Sequence, residues 1–309
     1  MVYRKLGATG LNVSTLGFGA SPLGSVFAPI DEADGQCAVH TALDLGINFF
    51  DVSPFYGMTR AETVLGNALA VVPRDRYFLA TKVGRYGPAE FDFSAARIRQ
   101  SIDESLQRLH TDHVDLIQCH DIEFADLSQI IEETLPALRA IVAAGKARFV
   151  GITGLPLKVF TTILHKAPVD TALSYCHYTL NDTSLETLVP YFQRHNVGII
   201  NAAPLSMGLF TQQGPPDWHP ASAGIRERCA QAMTYCRNKG VDIAKLAIQF
   251  AVANRQIAST LVGISSTDEI VRNVRWATEP PDQQLLAAVM NILSPIHNET
   301  WPSGRAENN

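Results

Sequence analysis

The sequence has no Cys-x-x-Cys pair, no basic run and no long apolar stretch, and each absence removes a class of protein. Its five cysteines (Cys37, Cys119, Cys176, Cys229, Cys236) are an odd, scattered set. That excludes a disulfide framework or zinc knuckle and predicts reduced thiols. The Asn-x-Ser/Thr matches at Asn12, Asn181 and Asn298 then read as chance. A formal net charge of −5 gives no electrostatic footprint for nucleic acid or an anionic membrane, so a small-molecule partner is expected. No run reaches the roughly 18 apolar residues of a membrane span. Met1–Leu11 carries charges and glycines instead of an apolar leader core, so the expected compartment is the cytoplasm. His110 and His113 have helix-like spacing but lack a third ligand, so no metal is expected. No exposed apolar repeat stands out, and a monomer is expected.

What is present is a globular composition, 46% hydrophobic and 18% charged, arranged as an alternation. Short runs rich in Val, Ile, Phe and Leu recur eight times between stretches of helical period. The predicted strands are Leu16–Ala20, Asn48–Ser53, Tyr77–Val83, Val114–His120, Arg148–Thr153, Thr171–Cys176, Gly198–Ala203 and Thr260–Ile264. Their near-continuous apolarity suits strands buried on both faces. Predicted helices include Ala33–Leu45, Ala61–Leu69, Ala95–Leu109 with Ser94 as N-cap, Leu127–Ala144, Leu157–His165, Ser184–His195, Arg226–Asn238, Ile243–Ala253 and Val271–Ala277. Tyr3–Leu6 and Leu11–Thr15 read as an N-terminal hairpin, and Gln283–Ile296 as an additional C-terminal helix. With no low-complexity linker, residues 1–309 are expected to form one domain, an α/β (β/α)8 TIM barrel. The competing fold, an open dinucleotide-binding sheet, calls for GxGxxG after its first strand; Gly17-Phe-Gly-Ala-Ser-Pro-Leu-Gly24 lacks the third glycine at the required distance.

In such a barrel, functional side chains gather at the C-terminal ends of the strands. There the sequence places Asp51, Tyr56, Lys82 and His120. Asp51 and Lys82 interrupt apolar runs, and an unpaired charge in such a place costs several kcal/mol, so the two should pair. An ammonium beside a phenol favours phenolate, so Lys82 is expected to lower the pKa of Tyr56 toward the range of a general acid/base, with His120 orienting the reacting oxygen. Each residue alone has a plain structural explanation: an ion pair, a loop tyrosine, a core histidine. Their convergence at three adjacent strand ends favours catalysis.

These motifs carry a resemblance. Asp51 to Tyr56 in Asp-x-x-x-x-Tyr spacing, Lys82 in Ala-Thr-Lys-Val and His120 after Val114-Asp-Leu-Ile117 resemble the aldo-keto reductase family, over essentially the whole chain. Gly17 to Ser25, His120-Asp-Ile-Glu-Phe124, Gly151-Ile-Thr-Gly-Leu-Pro156, Leu173 to Tyr178, Trp218-His-Pro220 and Thr300 to Gly304 resemble the plant members that oxidise L-galactose. The resemblance implies NAD-dependent oxidation of L-galactose at C1 to L-galactono-1,4-lactone, a step of ascorbate synthesis, with Tyr56 as acid/base. It implies cofactor contacts at Gly19, Ala20, Asp51, Thr153, Ser174, Tyr175, Ala203, Leu205, Met207, Gly208, Gly263, Ser265, Glu269 and Asn273.

Three positions depart from the family pattern. Gly154 stands where many relatives hold the carboxamide with Asn, so Tyr175 or Tyr178 is expected to help there. Ala202 replaces a stacking aromatic. Gly263 and Glu269 stand where NADP-using relatives place Lys and Arg; a carboxylate repels a 2′-phosphate, so NAD is expected over NADP, with Arg272 as the one residue opposing that reading. A sugar needs several hydrogen-bond partners and an apolar wall. Ser21, Phe55, Trp218, Tyr56 and His120 are the expected substrate contacts, with Ser25, His177 and His219 as further candidates. Cys119 and Cys176, beside His120 and His177, raise the question of redox sensitivity. Alternative activities are oxidation of L-fucose or D-arabinose, NADPH-linked carbonyl reduction, and nucleotide binding without turnover.

Overall fold

A computed structural model describes residues 1–309. Strands β1 (Tyr3–Lys5) and β2 (Asn12–Ser14) pair antiparallel as the expected hairpin. The other eight are β3 (Leu16–Gly19), β4 (Phe49–Asp51), β5 (Phe78–Val83), β6 (Val114–Cys119), β7 (Ala147–Gly154), β8 (Thr171–Tyr175), β9 (Gly198–Ala202) and β10 (Ser259–Gly263). They form one closed, parallel barrel in sequence order, with β10 returning to β3. The eight expected strands are therefore the eight barrel strands, within two residues at each end.

Helices α1 (Glu32–Asp44), α2 (Arg60–Leu69), α3 (Ala95–Arg108), α4 (Leu127–Gln129), α5 (Leu135–Ala143), α6 (Leu157–Leu164), α7 (Val189–Arg194), α8 (Ala223–Asn238), α9 (Ile243–Ala253), α10 (Thr267–Thr278) and α11 (Gln283–Leu293) complete the fold. Ser94 caps α3 as expected, accepting from the Arg97 N–H at 3.4 Å. Two expected helices are broken. Leu127–Ala144 contains a π turn over Ile130–Thr134, where the Leu135 N–H bonds back to the Ile130 carbonyl. Pro136 explains it, having no N–H to give the carbonyl four residues earlier. Ser184–His195 likewise begins as a 3-10 turn, with α7 starting only around Pro190.

Two apolar layers follow from the period-2 alternation of the strands, and the C-terminal helices add a third. The barrel interior is filled by Phe49, Ala80, Leu116, Leu173, Ile200 and Leu261, and hairpin residues Leu6, Leu11 and Val13 plug it from below. Residues of the opposite parity, such as Phe50, Ile117 and Ile152, face the helices in the main core. A satellite core joins α8, α9 and α11 to the mouth loops, and Trp301 of the tail packs into it.

Helix–helix contact is close enough to make one glycine obligatory. A Cβ on Gly66 of α2 would stand 2.1 Å from the Arg108 carbonyl oxygen. Gly→Ala in a helix interior normally gains about 1 kcal/mol, whereas overpacking costs about 1–3 kcal/mol. Because the obstacle is backbone, overlap wins: Gly66→Ala is expected to lower the melting temperature, and an unchanged or raised value in a thermal melt would refute that packing.

Candidate active site

The alternation that builds the interior also aims the site. Phe49 and Asp51, Ala80 and Lys82, and Leu116 and Gln118 share strand parity, so the layer above the apolar plug is polar. Lys82 is fully buried and uses all three ammonium protons: it donates to Asp51 Oδ1, to the Val52 carbonyl at 3.0 Å and to the Tyr56 hydroxyl at 3.2 Å. The other Asp51 oxygen accepts from Gln118 Nε2 at 2.7 Å. Burial pulls the Lys82 pKa down, but Asp51 and Tyr56 outweigh it and hold the value above that of an ordinary lysine. Burial also lifts the Asp51 carboxyl, against the pull of Lys82 and Gln118.

Tyr56 corrects one expectation. Burial raises its phenol pKa, with Asp51 and Asp121 adding to the rise, and the opposing effect of Lys82 is smaller. Tyr56 is a proton holder at neutral pH, gripped at its oxygen by a cation.

His120 stands edge-on to Tyr56, ring centroids 5.7 Å apart. Ser53 Oγ lies 3.0 Å from its Nδ1 and accepts from the Phe55 N–H, and on the other side of the ring the Asp121 carboxylate, which only accepts, lies 3.5 Å from Nε2. That leaves the imidazole proton on Nε2. Burial, against the attraction of Asp121, brings the His120 pKa down to about 3, so the ring is neutral. Asp121 Oδ2 lies 3.5 Å from Nε2 and accepts from Arg85 Nη1 at 2.5 Å. Burial raises the Asp121 pKa, but His120 and Arg85 overcome it and keep it below the ordinary range. One mouth thus holds a proton donor and acceptor at Tyr56, a fixed N–H donor at His120, and a buried positive charge behind them.

An aldo/keto reductase family model matches residues 15–293. L-galactose dehydrogenase of Arabidopsis thaliana is 53% identical, with 99% of this chain and 98% of the relative aligned. D-arabinose 1-dehydrogenase of Saccharomyces cerevisiae is 34% identical over 85% of each chain. Among solved structures, an aldo-keto reductase of Bacillus halodurans in its holo form matches with a TM-score of 0.80, 26% identity and 98% coverage of both chains. The chain belongs to the aldo/keto reductase family.

In this aldo/keto reductase the expected cofactor residues fall on one end of the barrel, at the ends of β3, β4, β7, β8, β9 and β10 and in the segments that follow them. Several already have structural work. A Cβ on Gly19 would meet the Val262 carbonyl at 3.0 Å, so strand packing accounts for that glycine. Ala20 is buried. Gly263 faces the Pro22 ring, and Asn273 is buried on α10. Thr153 Oγ1 accepts from the Asp121 N–H at 2.9 Å, and Leu205 and Met207 pack on the satellite core.

Other features suit a nucleotide. Ala203, Ser206, Met207 and Gly208 all have positive φ, and the loop is held by the Ser206 and Gly208 N–H groups on the Ala203 and Leu205 carbonyls, which leaves the Met207 amide without a partner in it. Ser174 Oγ, at the end of β8, is buried without a partner. Glu269 Oε2 accepts from both the N–H and Oγ of Ser265, each at 2.8 Å, which puts a carboxylate at the N-terminus of α10. Arg272 lies over the Trp276 ring at 5.0 Å.

Among the substrate candidates, Phe55 lies 5.9 Å from both the Tyr56 and His120 rings. Ser21 opens the 3-10 turn Ser21–Gly24 after β3. Trp218 is exposed and lies 6.2 Å from the exposed Phe27. Five further candidates already have partners within the protein. Ser25 Oγ binds Arg60 and the Ile30 N–H. His219 uses Nε2 on the Ser206 carbonyl and Nδ1 on the Ala221 N–H. His177 is buried against Asp182 and Ser184. Tyr178 stacks on Phe250 at 5.1 Å, and the Tyr175 hydroxyl donates to Glu123. Asp121, Glu123, Ser53, Gln118 and Arg85 are site residues the sequence reading did not single out. The two acids in His120-Asp-Ile-Glu-Phe124 were the available signal, since acids beside a predicted mouth histidine are costly unless used; nothing marked Arg85.

The thiols beside the site are quiet. Burial pushes Cys176 up to about 12 and Cys119 still higher. Because the thiolate is the reactive form, iodoacetamide at mildly alkaline pH should label the exposed Cys37 and leave Cys119 and Cys176 unmodified in the folded protein. Intact-mass and peptide mapping would show this, and rapid labelling of either buried residue would refute it.

Proposed function

We propose that the chain is an NAD-dependent aldose 1-dehydrogenase that oxidises L-galactose at C1 to L-galactono-1,4-lactone in ascorbate synthesis, working as a cytoplasmic monomer in which residues 1–309 form one domain. The observation that carries this reading is the Tyr56 hydroxyl, 3.2 Å from the buried Lys82 ammonium and beside a neutral His120. Two sugar dehydrogenases among the relatives support the substrate class. No helix is long and apolar enough to cross a membrane.

A bound nicotinamide supplies the hydride acceptor. Ser174 would face its amide, the 203–208 loop its phosphates, and Ser265 and Glu269 its adenosine ribose. The protein's own part is proton transfer. The C1 hydroxyl docks between Tyr56 and His120; the His120 Nε2–H donates to its oxygen and orients it; ionised Tyr56 takes the hydroxyl proton, with Lys82 stabilising the phenolate beforehand. Asp51 and Gln118 keep Lys82 in place.

The raised Tyr56 pKa fixes the sign of the pH dependence. Oxidation needs the phenolate, so the rate should climb as pH rises from about 6 to about 10, while carbonyl reduction, which needs the phenol, should fall. A flat or falling oxidation profile would contradict Tyr56 as the base.

Substrate and cofactor are tested together by initial rates of NADH or NADPH formation from L-galactose, L-fucose, D-arabinose and D-galactose. Preference for L-galactose with NAD is expected; preference for another aldose moves the substrate assignment, and preference for NADP overturns the role given to Glu269. Glu269→Lys, which replaces a repulsive charge by an attractive one, should raise the NADP-to-NAD ratio of kcat/KM about tenfold or more, a change of about 1.4 kcal/mol. An unmoved ratio would place cofactor choice elsewhere.

A further inference from the structure

Directly after His120, Asp121 takes a left-handed backbone conformation, φ 48°, a region that residues other than glycine enter only at a cost. The geometry around it is over-determined. Its N–H donates to Thr153 Oγ1 at 2.9 Å, that hydroxyl donates back to Oδ1 at 3.3 Å, and Arg85 Nη1 donates to Oδ2 at 2.5 Å. The Arg85 guanidinium in turn lies 3.9 Å over the Phe55 ring, with Phe91 and Phe124 each at 5.3 Å. Its Nε is buried without a partner.

A buried ion pair is a weak source of stability, since desolvation consumes most of its attraction. Here the pair is held in a strained turn and an aromatic cage, 3.5 Å from the Nε2 that faces the reacting oxygen. A carboxylate accepts hydrogen bonds and a guanidinium donates them, and a hydroxyl both donates and accepts. In a sugar, the hydroxyl on the neighbouring carbon sits about one hydrogen-bond length from the reacting oxygen, which is the step from His120 to this pair.

We propose that Asp121 and Arg85 form a recognition subsite for the hydroxyl next to the reacting carbon, and that this subsite selects aldoses over alcohols lacking that group. The proposal rests on the oxidoreductase reading of Tyr56 and deepens it. The sugar hydroxyl donates to Asp121 and accepts from an Nη–H at the partly exposed tip of Arg85, whose Nε is buried and takes no part. Thr153 and the three phenyl rings are positioning residues.

The test is a double-mutant cycle in which one of the two changes is made in the substrate. kcat/KM is measured for the unaltered enzyme, Asp121→Asn and Arg85→Met, each with L-galactose and 2-deoxy-L-galactose and NAD. The unaltered enzyme should lose about tenfold or more on removal of the 2-hydroxyl, a group hydrogen-bonded to charge. Each variant should lose a similar factor on L-galactose yet discriminate little between the two sugars. A purely structural role lowers both sugars by the same factor and leaves their ratio intact; that outcome overturns the proposal, as does an unaltered enzyme indifferent to the 2-hydroxyl, a result independent of how the variants fold. If the unaltered enzyme oxidises no aldose with either cofactor, the oxidoreductase reading falls first and takes the subsite with it.

Discussion

An ammonium held inside a β-barrel is the constraint on which the rest of the site depends. Leaving Lys82 unpaired there would cost several kcal/mol, and breaking a buried pair costs about 3–5 kcal/mol. The structure meets that cost with Asp51, the Val52 carbonyl and the Tyr56 hydroxyl. Only the last is free to do chemistry, so the need to satisfy the lysine is also what fixes the phenol. Asp51 needs its second oxygen satisfied, and Gln118 does this from the next strand but one.

Strand parity delivers all of this. The register that points Phe49, Ala80 and Leu116 into the barrel points Asp51, Lys82 and Gln118 into the layer above. Tyr56 lies beyond β4 in a loop and needs separate fixing. A Cβ on Gly57 would stand 2.1 Å from the Gly24 carbonyl oxygen, and Gly57 has φ 62°. The loop after β4 is therefore pressed against the turn after β3, which holds the phenol at the lysine. The hairpin closing the far end keeps water from reaching the charged layer from below.

The fold was legible because parallel barrel strands must be apolar on both faces, and runs such as Phe78–Val83 and Val114–Cys119 are interrupted only by residues with a use. Asp51, Lys82 and His120 could be read from the sequence for the same reason. What stayed hidden depends on loops and on competition between opposing effects. Ser25 and His219 look like free polar groups until the structure shows their bonds. Arg85 is an ordinary residue in sequence and becomes part of the site through Asp121 and three aromatic rings from separate segments. The direction of the Tyr56 shift is not legible in the sequence, because adjacency to Lys82 is visible there and the burial that outweighs it is not.

The most direct test of the central claim, that Tyr56 moves the proton while the rest of the mouth binds and orients, is a comparison of Tyr56→Phe with the unaltered enzyme in NAD binding and in turnover. The account predicts that NAD affinity is retained and turnover falls at least about a hundredfold, the contribution of a general acid/base. A variant that remained fully active would contradict it.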